Sequence, residues 1–326
     1  MMEFRIFVVK RLLLMLLTFF VLMTLTFVLF RVAPGDPVAS MISASLEPGA
    51  REVLTRSFGL DKPLHIQYLL YLGNSLRGDM GQSFYYRRSV VEVLRPKFVN
   101  TLVLVGPATL LALIVGVAVG ALTASQRAGR LDLLGTVAPL AIKSVPEFWT
   151  AMMALTIFAY RMHWFPSAGL RTPGYAGDSF FEKFMNVDFL HHLALPLTLL
   201  TLHFLAWPAL TMRNSMLEVQ GEDFVEMARA KGIGERRVVY HHWIRNALLP
   251  VASIVPMMIG HIVGGQVLVE TVFSWPGLGR EIVNAVSAHD YPVAQASFLM
   301  IGAVVIFLNF LADIVYAALD PRVRLD

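Results

Sequence analysis

Leu12-Leu13-Leu14-Met15-Leu16-Leu17-Thr18-Phe19-Phe20-Val21-Leu22-Met23-Thr24-Leu25-Thr26-Phe27-Val28-Leu29-Phe30 runs nineteen residues without a charged side chain. As a helix rising 1.5 Å per residue it is about 28 Å long, close to the roughly 30 Å hydrocarbon thickness of a bilayer. Further uncharged stretches cover residues 98–126, 193–212, 246–269 and 291–312. A sixth candidate, residues 134–160, is interrupted by Lys143 and Glu147. The whole chain of 326 residues is 56% hydrophobic and 15% charged, against about 25% charged in ordinary soluble domains. The runs are continuously apolar and do not alternate, which excludes barrel strands of about ten residues. The expected fold is all-α: one polytopic transmembrane helical bundle of about six spans over residues 1–326.

Arg5, Lys10 and Arg11 precede the first run. Its apolar core exceeds the 7–15 residues typical of a secretory signal, and no small-x-small site follows it, so it reads as a signal anchor. There is no cysteine, which excludes disulfides and Cys-ligated metal centres. The formal net charge of +4 is explained by topology, not by nucleic-acid binding. With the N-terminus in the cytoplasm, Arg127, Arg130, Arg213, Arg229, Lys231, Arg236, Arg237, Arg245, Arg322 and Arg324 also fall inside, while the short outer loops hold only Arg161, Arg171, Lys183 and Arg280. Orientation follows the short loops, and long segments count little. Both termini are therefore expected in the cytoplasm, and the long segment of about residues 31–97 outside. In that segment Pro34-Gly35-Asp36-Pro37 is turn chemistry. Leu64, Tyr68, Tyr71, Leu72 and Leu76 recur at helical spacing, predicting an amphipathic helix over residues 64–76 or else a packed loop.

The cytoplasmic loop between the fourth and fifth spans, about residues 214–246, interleaves charges with Phe224, Val225, Met227, Ile233, Val238, Val239 and Trp243. Phe224, Met227 and Ala228 are expected on one face of a short helix. Glu222, Asp223 and Glu226 lie toward its N-terminus and Arg229 and Lys231 toward its end, in agreement with the helix dipole. Gly232 and Gly234 terminate it, because glycine takes the left-handed cap conformation. Held by two spans, such a helix can act as a lever on a soluble partner; an ordinary solvated loop reads the same charges equally well.

Glu226-Met227-Ala228-Arg229-Ala230-Lys231-Gly232 resembles the Glu-Ala-Ala-x-x-x-Gly loop of ABC importer permeases, with the spacing from Glu226 to Gly232 kept. Met227 replaces the usual Ala, and Arg245 replaces the Pro that often precedes the Asn246-Ala247-Leu248 match; both departures are similar to the dipeptide, oligopeptide and nickel branch. That branch is also resembled by Pro34-Gly35-Asp36-Pro37, Phe58-Gly59-Leu60-Asp61, Gly78-Asp79-Met80-Gly81, Trp164-Phe165-Pro166-Ser167-Ala168-Gly169 and Glu270-Thr271-Val272-Phe273-Ser274-Trp275-Pro276-Gly277-Leu278-Gly279. The resemblance covers nearly the whole chain in order. It implies a permease subunit of a type I ABC importer in a bacterial inner membrane, carrying peptides, with nickel or another small solute as the alternative. The implied partners are a second permease, usually a different chain, two cytoplasmic ATPases that bind ATP and Mg, and an extracytoplasmic substrate-binding protein. The implied ATPase-coupling residues are Phe224, Glu226, Met227, Ala228, Arg229, Ala230, Lys231 and Gly232. The chain has no G-x-x-x-x-G-K-[ST] motif, so it carries no Walker A loop of its own.

Lys143 and Glu147, four apart, are expected on one helix face either as a mutual pair or as part of the pathway. His203 and His261 are expected as packed, hydrogen-bonded interior residues, not metal ligands. Gly260 and Gly264 fit G-x-x-x-G, predicting close packing against the partner permease or within the subunit. Trp275, Pro276 and Gly277 follow the fifth span, where an interfacial anchor and turn, or a gate, are expected. An intramembrane enzyme is excluded: neither His191-His192 nor His241-His242 extends to H-E-x-x-H, and no G-x-S-x-G occurs. An ion-gradient transporter would show midplane acids and an internal repeat, and neither is visible.

Overall fold

A computed structural model describes residues 2–32, 61–126, 129–174, 180–264 and 266–319. Its regular elements are helices: α1 (Met2–Val32), α2 (Leu64–Leu76), α3 (Val90–Ser125), α4 (Arg130–Ser144), α5 (Glu147–Ala154), α6 (Phe180–Phe184), α7 (Val187–Phe204), α8 (Ala206–Val219), α9 (Asp223–Ala230), α10 (Glu235–Arg237), α11 (Ile244–Gly264), α12 (Val267–Val272), α13 (Leu278–Ser287) and α14 (Tyr291–Leu319). π-Helical turns, Leu155–Arg161 and Val238–Trp243, continue α5 and α10. The Pro34-Gly35-Asp36-Pro37 turn and Phe58-Gly59-Leu60 lie outside the described residues.

Among the described residues, four helical segments are long and apolar enough to cross a membrane: Phe4–Arg31, Val90–Ser125, Val187–Val219 and Tyr291–Ile314. The fifth expected span falls on α11. The third, expected over residues 134–160, is not one continuous helix. α4 stops at Ser144, Val145 is extended at φ −86 and ψ 136, and α5 restarts after Pro146. Proline disfavours helical backbone in the residue before it and supplies no N–H to continue the ladder. Lys143 and Glu147 therefore sit on two helices. Lys143 stacks its ammonium over Trp207, 4.3 Å from the ring centroid, and Glu147 Oε1 is buried without a hydrogen-bond partner; the expected mutual pair does not form. The fourth span is interrupted at Leu205, between α7 and α8, where Pro208 cannot donate to the carbonyl of Phe204.

α3 is the axis of the bundle. It packs against α4, α7, α8, α11, α13 and α14, and its 36 residues reach about 54 Å at 1.5 Å each, well beyond the hydrocarbon core. A close helix crossing uses Gly116 and Gly120 of α3, where added Cβ atoms would lie 2.5 Å from Pro208 Cγ and 2.3 Å from the backbone oxygen of Ala209. At Gly260 an added Cβ would meet nothing within 4 Å, so the expected close packing within the subunit does not occur there. Around the α3–α7 contact the core holds Leu104, Val105, Ala108, Ala112, Leu199, Leu200 and Phe204.

The helix over residues 64–76 is present, lying on α1. Tyr68 and Tyr71 place their hydroxyls 2.7 and 3.1 Å from Thr24 and Thr26 and their rings 5.2 and 5.5 Å from Phe27. Leu64 and Leu76, expected on the same face, are exposed; Gln67 is buried instead.

Candidate functional site

The loop between α8 and α11 folds around α9. Val225 and Ala228 turn inward and join Val238, with Val219 and Ile233 packed against them. The end of α9 is a Schellman motif: Gly232 N–H donates to Arg229 O at 2.9 Å and Ile233 N–H to Ala228 O at 3.3 Å. Gly232 has φ +72, the left-handed conformation predicted from its position. Arg229 then grips Glu235 across the turn with two bonds, of 3.2 and 2.7 Å. The carboxylate holds the guanidinium pKa above its usual value, and the guanidinium holds Glu235 below the usual carboxylate range. The returning chain is fastened by Trp243, which is buried among Ala124, Met212, Met216, Ala247 and Val251 and donates its indole N–H to Met216 O. α9 is thus coupled to α3, α8 and α11 through packed side chains.

Phe224 and Met227 were expected to share a face with Ala228. They instead point outward, with Glu226, Arg229, Ala230 and Lys231 exposed beside them. The helix thus presents an apolar pair inside a charged rim, and the small Ala228 seats it on its own subunit.

At the other end of α3, Val90 and Leu94 pack against Leu278, Ala285, Val293 and Ala294, with Met80 added from the preceding segment. Trp275, expected at the membrane interface, is fully buried and donates its indole N–H to Asn100 O at 2.9 Å. Asn100 returns a bond of 2.9 Å from its amide to Pro276 O. Thr101 donates to Glu270 Oε1 at 2.6 Å and accepts from Leu278 N–H at 2.8 Å, and Arg280 N–H donates to Glu270 Oε2 at 2.8 Å. Gly277 lies directly on this buried carboxylate, with an added Cβ 2.5 Å from Glu270 Oε2. Trp275, Pro276 and Gly277 thus form a latch between α12, α13 and α3. Gly169 N–H donates to Phe273 O at 2.9 Å, so two sequence motifs a hundred residues apart meet here.

Sequence reasoning missed Glu270, Glu281 and Asp290 as organising residues; all three are buried. Lys97 Nζ pairs with Glu281 Oε2 at 2.6 Å, and Asp290 accepts from Ser83 Oγ and from the backbone N–H of Phe84 and Tyr85. A basic residue at the mouth of an apolar run, as Lys97 is, was the available signal. His203 is buried, with Nε2 3.2 Å from Thr150 Oγ1 and Nδ1 3.2 Å from Leu199 O, as expected; the side chain of His261 and the surroundings of Gly264 lie outside what is described.

A helical membrane bundle with a short amphipathic helix tied to several spans defines an integral membrane protein. Residues 116–325 match the family described as binding-protein-dependent transport system inner membrane component, and residues 2–105 match its N-terminal region. The chain belongs to this family and is a multi-pass inner membrane permease subunit. It is 37% identical to the di/tripeptide transport system permease protein DppB of Pseudomonas aeruginosa, over 98% of both chains. It is 36% identical to the oligopeptide transport system permease protein AppB of Bacillus subtilis, over 92% of this chain and 93% of that one. The dipeptide transport system permease protein DppB of Escherichia coli is 35% identical over 98% of both.

Proposed function

We propose that this chain is one half of the translocation pathway of a peptide importer, moved by partner ATPases through α9. The observation that carries this reading is the construction of α9: Phe224 and Met227 outside, Val225 and Ala228 inside, and a capped end fastened to α8 and α11. A rigid helix transmits displacement, and an exposed apolar pair within a charged rim suits a groove on a soluble partner. In this reading ATP and Mg are bound by two cytoplasmic ATPases, a second permease completes the cavity, and an extracytoplasmic binding protein delivers substrate. Both termini and α9 lie in the cytoplasm, and the Trp275 latch lies outside. Peptide, not nickel, is assigned because the relatives are named for dipeptides, tripeptides and oligopeptides.

The test is reconstitution of the complete complex in proteoliposomes. Uptake of a labelled dipeptide that requires ATP and the binding protein, and is unaffected by excess nickel, is the expected result. Uptake driven by a proton gradient without ATP would overturn the reading.

A further inference from the structure

The break between α4 and α5 carries a cation that its own subunit leaves without a carboxylate. Lys143, in the last turn of α4, lies thirteen residues beyond Arg130, about 20 Å at 1.5 Å each. Trp207, on which its ammonium rests, lies six residues before Arg213, the first charged residue of α8. Both are thus set within the apolar layer. Lys143 is nonetheless exposed on the subunit, and among the described residues no carboxylate lies within ion-pairing distance of it. Glu147 turns one carboxylate oxygen into the protein. An ammonium at this depth is costly in hydrocarbon, so it faces other protein or a water-filled cavity.

The backbone imposes the same condition. Ser144 and Pro146 are exposed, and Val145 between them is extended and only half-buried. Irregular backbone at membrane depth is tolerated where it is buried in protein or lines water, and this subunit does not bury it. The indole face is a weaker partner for an ammonium than a carboxylate is, so Lys143 is free to exchange one for the other. Beyond the break α5 exposes Trp149, Met152 and Met153. Methionine is flexible and polarisable and fits varied apolar shapes. One fixed cation beside adaptable walls matches substrates whose side chains vary but which share a terminal carboxylate.

We propose that Lys143 is a binding site, within the translocation pathway, for the terminal carboxylate of the transported peptide; this rests on the importer reading above. The ammonium leaves the face of Trp207 and donates to the carboxylate as the peptide passes, and the peptide's side chains lie against Trp149, Met152 and Met153.

The test uses the complete complex in nanodiscs, without binding protein, and a dipeptide bearing a diazirine side chain, as the free acid and as its C-terminal amide. After irradiation the labelled segment is mapped by mass spectrometry. In the wild type the free acid should label α4 and α5 about tenfold more than the amide. Equal labelling by the two, or labelling confined to other helices, overturns the proposal, and this comparison needs no variant. Lys143→Gln should abolish the preference and Lys143→Arg should retain it within about threefold; an unchanged preference in Lys143→Gln overturns the proposal. Loss of the second permease from Lys143→Gln on gel filtration would assign Lys143 to the contact between permeases, and also overturns it. In proteoliposomes with ATP and saturating binding protein, uptake of the free acid by Lys143→Gln should fall about tenfold. Normal uptake there overturns only the carboxylate site, whereas a wild-type complex that takes up no peptide overturns the importer reading itself.

Discussion

Replacing Phe224 and Met227 together by alanine tests the proposed docking role of α9 directly. Met227 is 56% exposed and Phe224 38%, so each retains apolar surface for a partner to cover. Fully burying side chains of this size contributes about 1.5–3 kcal/mol. Scaled to the fractions still open, the two offer about 2 kcal/mol together, or roughly 30-fold in affinity. Neither belongs to the Val225–Ala228–Val238 cluster, so the double variant should unfold at the wild-type temperature while its ATPase subunits dissociate more readily. The assay is titration of the purified ATPase against permease in nanodiscs, beside peptide-stimulated ATP hydrolysis. Val225→Ala is the contrasting control: it removes a fully buried side chain and should loosen the loop, seen as faster proteolysis between α8 and α11. Wild-type ATPase affinity in the double variant would refute the assignment of the outer face of α9 as the docking surface.

Gly277→Ala forces a methyl group onto the buried Glu270 carboxylate and should destabilise the subunit by about 1–3 kcal/mol, read as a lower unfolding temperature, with part of the loss recovered in Gly277→Ala/Glu270→Ala. Gly232→Val places a β-branched residue at φ +72, costing about 1–2 kcal/mol of backbone strain; the end of α9 should fray in hydrogen exchange, and Gly232→Asn should fray less. The Arg229–Glu235 pair sets a pH dependence. Because the folded carboxyl pKa is depressed, the pair's contribution is complete above the unfolded Glu value of about 4.3 and is lost as pH falls through the lower folded value. Protection of the α9–α10 turn should therefore be equal at pH 7 and pH 5 and decline only in stronger acid; Glu235→Gln should remove that decline.

The spans and the cap of α9 were legible in the sequence because both depend on local properties. An uncharged run of membrane length must pair its backbone internally, and a glycine after a helical turn supplies the left-handed residue the Schellman motif needs. The helix over residues 64–76 was visible for the same reason, through the spacing of Tyr68 and Tyr71. Which side chains face inward was less legible. Helical periodicity places Phe224, Met227 and Ala228 close together, but Val238, from beyond the turn, decides that Val225 and Ala228 form the buried edge. Trp275 shows the same limit: an aromatic after a span reads as an interfacial anchor until Asn100, far away in sequence, is seen to take its indole hydrogen.

The sequence by itself determined the helical membrane class, the six apolar stretches, the C-terminal cap of α9 and the family. Tertiary structure alone decided that Lys143 lies over Trp207, and that helices approach closely at Gly116 and Gly120 while Gly260 stays open. It also decided that Glu270, Glu281 and Asp290 are buried as the framework of the latch end. The physical reason is range. Hydropathy and caps act within a few residues, whereas a carboxylate can be buried only where donors such as Thr101, Lys97 and the 82–89 turn converge on it from distant parts of the chain.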